Sequence, residues 1–212
     1  MNRSDISQED YTRILDSVVE TIREKGLKAT TMDTVASKLG MSKRTLYELF
    51  DSKAQMVEET FDQMARRYAR EHLRLYHESA NVMEAILRIS LHHAAVMEAV
   101  SPEFFFDMDR LYPEIRRKYE EKGEDRSKEV HKIFQLGQQQ GMFRMDLDIR
   151  MQMIIFEIQM EAFKRSSQHL PDGITSPDVF RAITIGFLRS IATPAGMVVL
   201  EELLEKSKSS IQ

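Results

Sequence analysis

From Thr30 to Lys53 the chain reads TTMDTVASKLGMSKRTLYELFDSK, and no other stretch constrains the fold as strongly. Met32, Val35, Ala36 and Leu39 recur at the i, i+3, i+4 spacing of one helix face, and so do Leu46, Leu49 and Phe50. Gly40 lies between the two runs, where the first helix must stop and the chain must turn. Glycine takes positive φ there without steric cost. Ser42 directly precedes the second run, placed to cap its free backbone N–H groups. The spacing predicts two short helices joined by a tight turn, a helix-turn-helix.

If Leu46, Leu49 and Phe50 face a core, then Lys43, Arg44, Thr45, Tyr47 and Glu48 face away from it. Arginine can fork onto guanine O6 and N7, while Lys, Thr and Tyr favour phosphate oxygens. Ser42 to Thr45 occupy the helix end that reaches base edges in the major groove. This is the composition of a DNA-recognition helix. Charge alone does not announce one. The chain has a net charge of −4, and residues 1–53 hold nine basic and nine acidic side chains. The basic groups are nevertheless localised at Lys38, Lys43, Arg44 and Lys53, and a local footprint matters more than the total.

At these residues the chain resembles the N-terminal DNA-binding region of the tetracycline-repressor (TetR) family of bacterial regulators. That family shows a Thr-rich entry to helix 2, an alanine four residues before the turn glycine, and a Ser-Lys-x-Thr-Leu-Tyr-x-x-Phe-x-x-Lys run. Here the matching residues are Thr30, Thr31, Ala36, Gly40, Ser42, Lys43, Thr45, Leu46, Tyr47, Phe50 and Lys53. Two positions depart from a common form of the pattern: Arg44 stands where a small residue is frequent, and Glu48 where histidine is frequent. Both face the expected DNA side, so they bear on the operator sequence. The resemblance implies DNA contacts by Thr31, Ser42, Lys43, Arg44, Thr45, Tyr47 and Lys53. For Thr31, helix capping is the plainer alternative. Tyr47 points off an apolar face already filled by its neighbours, which favours a phosphate contact.

The rest of the chain reads as helix, with no strand pattern and no internal repeat. Ile14, Val18 and Ile22 mark a first helix from about Ser7 to Lys25, with Gly26 as its stop. A long connecting helix runs from Ser52 to about Ser79, with Arg66, Arg67, Arg70 and Arg74 as a solvated basic face. Segments follow over residues 82–100, around Phe104 to Tyr112, from Pro113 to about Gln140 (with Gly123 able to interrupt it), over residues 148–168 and 177–192, and from Pro194 to near Lys206. The expected architecture is all-α. An N-terminal helix-turn-helix domain of three helices (residues 1–53) is joined by the long helix to a helical regulatory domain (54–212). By resemblance, the second domain binds a ligand and dimerises. Candidate lining residues are Met83, Leu87, Met97, Phe104, Met108, Phe134 and Phe156; candidate dimer residues are Met153, Phe156, Met160, Phe163, Phe180, Ile183 and Phe187. Ordinary buried core is the alternative for both sets.

Catalytic signatures are missing. The chain has no Glu-x-x-His or His-Glu-x-x-His pair, no Gly-x-Ser-x-Gly elbow and no Gly-rich phosphate loop. His92 and His93 project about 100° apart on a helix, poorly placed for one metal, one facing solvent and the other the core. With no cysteine, disulfides and thiolate metal sites are excluded. No apolar run approaches a membrane span, and MNRSDISQED lacks the apolar core of a secretory signal. The sequence therefore leads to a cytoplasmic, non-enzymatic transcriptional regulator without cofactor. Its expected partners are a palindromic double-stranded operator, a second copy of itself and a small-molecule effector that releases it. The rival is a helical binding or assembly protein whose helix-turn-helix does not read DNA.

Overall fold

The computed structural model describes residues 6–98, 104–121, 123–166 and 170–209. Among them are eleven helices and no strand beyond one isolated bridge between Phe143 and Ala192. The helices are α1 (Gln8–Ala29), α2 (Met32–Leu39), α3 (Lys43–Leu49), α4 (Lys53–Glu78), α5 (Val82–Glu98), α6 (Phe104–Leu111), α7 (Pro113–Glu121), α8 (Gly123–Gln139), α9 (Ile149–Ser166), α10 (Ser176–Ile191) and α11 (Pro194–Ser209). The all-α expectation holds. Within the segment expected as one helix from Pro113 to Gln140, helix is described over Pro113–Glu121 and Gly123–Gln139, and the expected break at Ser101-Pro102 lies outside the described residues.

The chain forms two compact units. The first comprises the described residues up to Glu71 together with those from Phe104 to Glu120. Ile14, Leu15, Val18 and Ile22 of α1 pack with Met32, Val35 and Ala36 of α2 and with Leu46 and Leu49 of α3. Phe50, Met56 and Val57 close this core from the side of α4. Each such buried side chain contributes about 1.5–3 kcal/mol relative to exposure. Ser7 caps α1 as its sequence suggests, accepting from the Asp10 N–H at 3.0 Å. Gly26, read as the stop of this helix, is a kink (φ 78°, ψ 162°) followed by one more turn to Ala29.

Two features of this unit differ from the sequence reading. The boundary placed at residue 53 falls inside it, because α4 as far as Glu71 belongs with α1–α3. Phe104 and Met108, offered as lining of a ligand pocket in the regulatory domain, instead join the core of α1–α4, along with Ile115. The Phe104 ring lies 5.7 Å from that of Phe61 on α4. Polar ties add to the packing. Tyr11 donates to Glu59, Gln63 to Asp16 at 3.1 Å, and the Lys118 ammonium on α7 bridges Glu58 and Asp62 of α4, each at 2.8 Å.

The second unit comprises His72–Glu98 and the described residues from Glu121 onward. Val82, Met83 and Leu87 of α5 pack with Phe134 of α8, Leu188 and Ile191 of α10, and Leu200 and Leu204 of α11. A second cluster holds Ala94, Phe163 and Phe180, with Met97, Met160 and Ile183 against it. The α8–α9 connection is pinned rather than loose. Phe143 is buried, stacks on Phe134 at 5.3 Å and pairs with Ala192, while Thr193 N–H donates to the Met142 carbonyl at 2.9 Å.

Gly196 sits against that connection so closely that a Cβ would fall 2.2 Å from the Met142 carbonyl oxygen. The obstacle is backbone already held by Thr193, so relief requires moving the connection itself. Gly196→Ala is expected to cost about 1–3 kcal/mol, read as a lowered midpoint in denaturant-induced unfolding. An unchanged midpoint would show that the α8–α9 connection yields freely.

Candidate nucleic-acid interface

The helix-turn-helix is held by local hydrogen bonds that its sequence specifies. Thr31 and Thr34 form a reciprocal capping box: Thr34 N–H donates to Thr31 Oγ1 at 3.1 Å, and Thr31 N–H to Thr34 Oγ1 at 2.8 Å. Gly40 adopts φ 65°, ψ 24°, and the next N–H, of Met41, returns to the Ala36 carbonyl at 3.0 Å. A side chain here would strain the left-handed backbone, as the turn chemistry anticipates. Ser42 then caps α3 by accepting from the Thr45 N–H at 3.0 Å.

Rotation of α3 about its axis is set by burial. Leu46, Leu49 and Phe50 are essentially inaccessible to solvent, whereas Tyr47 is 46% exposed. Lys43, Arg44 and Glu48 lie on the exposed surface, with Thr45 half-buried beside the cap. Of the proposed DNA contacts, Thr31, Ser42, Lys43, Arg44, Thr45 and Tyr47 therefore gather on α3 and the N-terminus of α2.

Lys53 is different. Its ammonium donates to the carbonyls of Leu27 and Lys28 at 3.0 and 3.1 Å, and burial pushes its pKa down. It fastens the start of α4 to the turn after the Gly26 kink, a role that the motif match did not reveal.

Three cations of the helix-turn-helix, Lys38, Lys43 and Arg44, pair with acids. Lys43 pairs with Asp33 of α2 at 2.9 Å, and that hydrogen bond raises the Lys43 pKa. Arg44 pairs with Glu48 at 3.2 Å. Lys38, part of the basic footprint read from the sequence, reaches Glu24 at 2.7 Å and Glu20 at 3.4 Å. Exposed pairs of this kind are worth little in stability. They fix where the cations rest before any anion arrives. The Arg44–Glu48 pair was readable from its i, i+4 spacing; the Lys43–Asp33 pair, bridging two helices, was not.

In the second unit the expected pocket residues separate. Met83, Leu87 and Phe134 are plain core, Met97 belongs to the other cluster, and Phe156 packs on Phe187 with ring centroids 4.8 Å apart. The expected dimer residues are likewise engaged within the chain. Phe163 and Phe180 are buried together with Met160 and Ile183 beside them, and Met153 and Phe187 are half-buried. His92 and His93 do not divide between core and solvent; both are half-buried, with ring centroids 6.1 and 5.3 Å from that of His72. Among the described residues no group of three His, Cys, Asp or Glu is placed to hold a metal ion, and no helix is long and apolar enough to cross a membrane.

Comparison with known proteins agrees with this geometry. Residues 14–60 match the model of the bacterial regulatory proteins of the tetR family. YvaF of Bacillus subtilis, an uncharacterized HTH-type transcriptional regulator, is 34% identical over 90 residues, which span 42% of this chain and 47% of YvaF. The HTH-type transcriptional repressor KstR2 of Rhodococcus jostii is 26% identical over 156 residues, 66% of this chain and 71% of KstR2. The fold is shared with the transcriptional regulator FadR from Bacillus subtilis, solved in complex with stearoyl-CoA. The TM-score is 0.62 at 18% identity, covering 85% of this chain and 99% of that one. The matched segment is the one that builds the capped helices α2 and α3 and their core, and over residues 14–60 the chain is similar to the bacterial regulatory proteins of the tetR family.

Proposed function

We propose that this chain is a transcriptional repressor that binds a palindromic operator as a homodimer and is released by a small-molecule effector. The observation that carries the reading is the orientation of α3. With Leu46, Leu49 and Phe50 buried, the surface formed by Lys43, Arg44, Thr45 and Tyr47 is the one the helix offers to a duplex. Arg44 is the candidate base reader, and Lys43, Tyr47, Thr31 and the hydroxyls of Ser42 and Thr45 are candidate phosphate contacts. Lys53 is left out of this set because its ammonium is engaged with two carbonyls. The helical-assembly alternative gives no reason for a polar, exposed α3 face of this composition.

Dimerisation is supported by an apolar face of α9 other than the stripe expected from the sequence. Met151, Ile154, Ile155 and Ile158 recur at i, i+3, i+4, i+7 along α9 and are all exposed, Ile158 at 63%. A continuous apolar stripe of this length on a helix calls for a partner. On α10, which packs against α9, Ala182 and Gly186 are exposed, and a Cβ at Gly186 would meet nothing within 4 Å. Such small residues let a helix of a second copy come close. The dimer contact therefore moves from the buried side of α9 to its outer side.

Release by an effector is supported by α4, which runs from the first unit into the second as one helix. An effector acts only if it binds the DNA-competent and released arrangements with different affinity. FadR, which shares the fold, is solved with stearoyl-CoA, which supports a small-molecule effector for this chain. Regulation, rather than catalysis, in the cytoplasm completes the proposal.

Two measurements test it. On an operator recovered by selection from random duplexes, Lys43→Ala and Tyr47→Phe are expected to weaken all sequences alike. Lys43→Ala should also reduce the slope of log K against log salt by about one. An unchanged slope would remove Lys43 from the phosphate contacts. Ile158→Asp is expected to convert the dimer to a folded monomer in sedimentation and to lower operator affinity by at least roughly tenfold, since one half-site is lost. A variant that stays dimeric would move the interface off α9.

A further inference from the structure

By helical projection, Arg44 and Glu48 lie on the side of α3 opposite its buried face. At about 3.6 residues per turn, both point roughly 160° away from the direction shared by Leu46, Leu49 and Phe50. Thr45 and Tyr47 lie about 100° to either side. The Arg44 side chain is 90% exposed and that of Glu48 31%. Arg44 Nε donates to Glu48 Oε1 at 3.2 Å. That contact uses the inner edge of the guanidinium and leaves its outer edge, with both Nη groups, directed to solvent. The outer edge is a fork that matches O6 and N7 of guanine.

We infer that Arg44 and Glu48 work as one reading unit: Glu48 accepts the Arg44 Nε–H and so aims both Nη groups at a single guanine in each operator half-site. The inference rests on α3 being the DNA-reading helix. Glu48 is a positioning residue, acting through Arg44. Its carboxylate has a second effect, because a negative charge in a groove lined by phosphates lowers affinity for every sequence. The neighbouring cation does not share the task, since Lys43 is drawn sideways to Asp33.

Substitution separates the two effects. In Glu48→Gln the amide oxygen can still accept from Nε while the charge is gone; in Glu48→Ala both are gone. Both residues are on the exposed surface, so thermal melting of each variant should match the parent. Selection from random duplexes with the parent protein defines the half-site, and each base pair is then replaced in turn in competition binding. The parent is expected to prefer G·C at one position by about tenfold to a hundredfold. Arg44→Lys should lose that preference. Both Glu48 variants should bind all duplexes more tightly, but Glu48→Gln should keep most of the preference while Glu48→Ala loses most of it. If the two Glu48 variants behave alike, or Glu48→Ala keeps the preference, the positioning role is overturned while α3 remains the reader. If the parent enriches no sequence, the assignment of α3 as a DNA reader fails, and this inference fails with it.

Discussion

Everything proposed for this protein depends on the rotational setting of one short helix. Three apolar side chains of the α3 segment, Leu46, Leu49 and Phe50, are swallowed by a core built from α1, α2, α4, α6 and α7. A seven-residue helix has little stability of its own. Its orientation is imposed by that burial, by the Ser42 cap and by the left-handed Gly40 turn. Rotating α3 by even one residue would drive Arg44 or Tyr47 toward the core and leave a large apolar group in water. The functional surface is thus the complement of the core, fixed by what cannot be exposed.

That surface is nearly neutral, and the structure explains how it can still suit DNA. The cations are not cancelled by a diffuse background but held by particular acids: Asp33 for Lys43, Glu48 for Arg44, and Glu20 and Glu24 for Lys38. Such pairs are weak in water, and those of Lys43 and Lys38 can be exchanged for phosphate oxygens, while the Arg44–Glu48 pair is the one proposed to persist on the duplex. They keep long side chains ordered and temper the sequence-independent attraction that every basic surface exerts on a polyanion. On the proposed reading, discrimination rests more on base contacts than on total charge.

Much of the reader was legible in the sequence because its determinants are local. Thr31, Gly40 and Ser42 act on backbone groups within a few residues, and the i, i+3, i+4 stripes name their own buried face. Where the determinants are distant, the reading went astray. Phe104 and Met108 form an apolar run that could pack anywhere; only the assembled fold shows them completing the core around α1–α4. α9 is apolar on several sides, so its sequence cannot say which side meets α10 and which is left over. The structure buries Phe163, one of the candidate dimer residues, and exposes Ile154, Ile155 and Ile158. The ammonium of Lys53 found carbonyls contributed by residues 25 and 26 positions earlier in the chain.

The most direct check of the central claim is methylation interference on the operator. A methyl group on guanine N7 protrudes into the major groove, where the outer face of α3 is held to enter. The account predicts two patches of interference on one face of the duplex, separated by one helical turn or a multiple of it. Binding indifferent to N7 methylation, or blocked only from the minor groove, would contradict it.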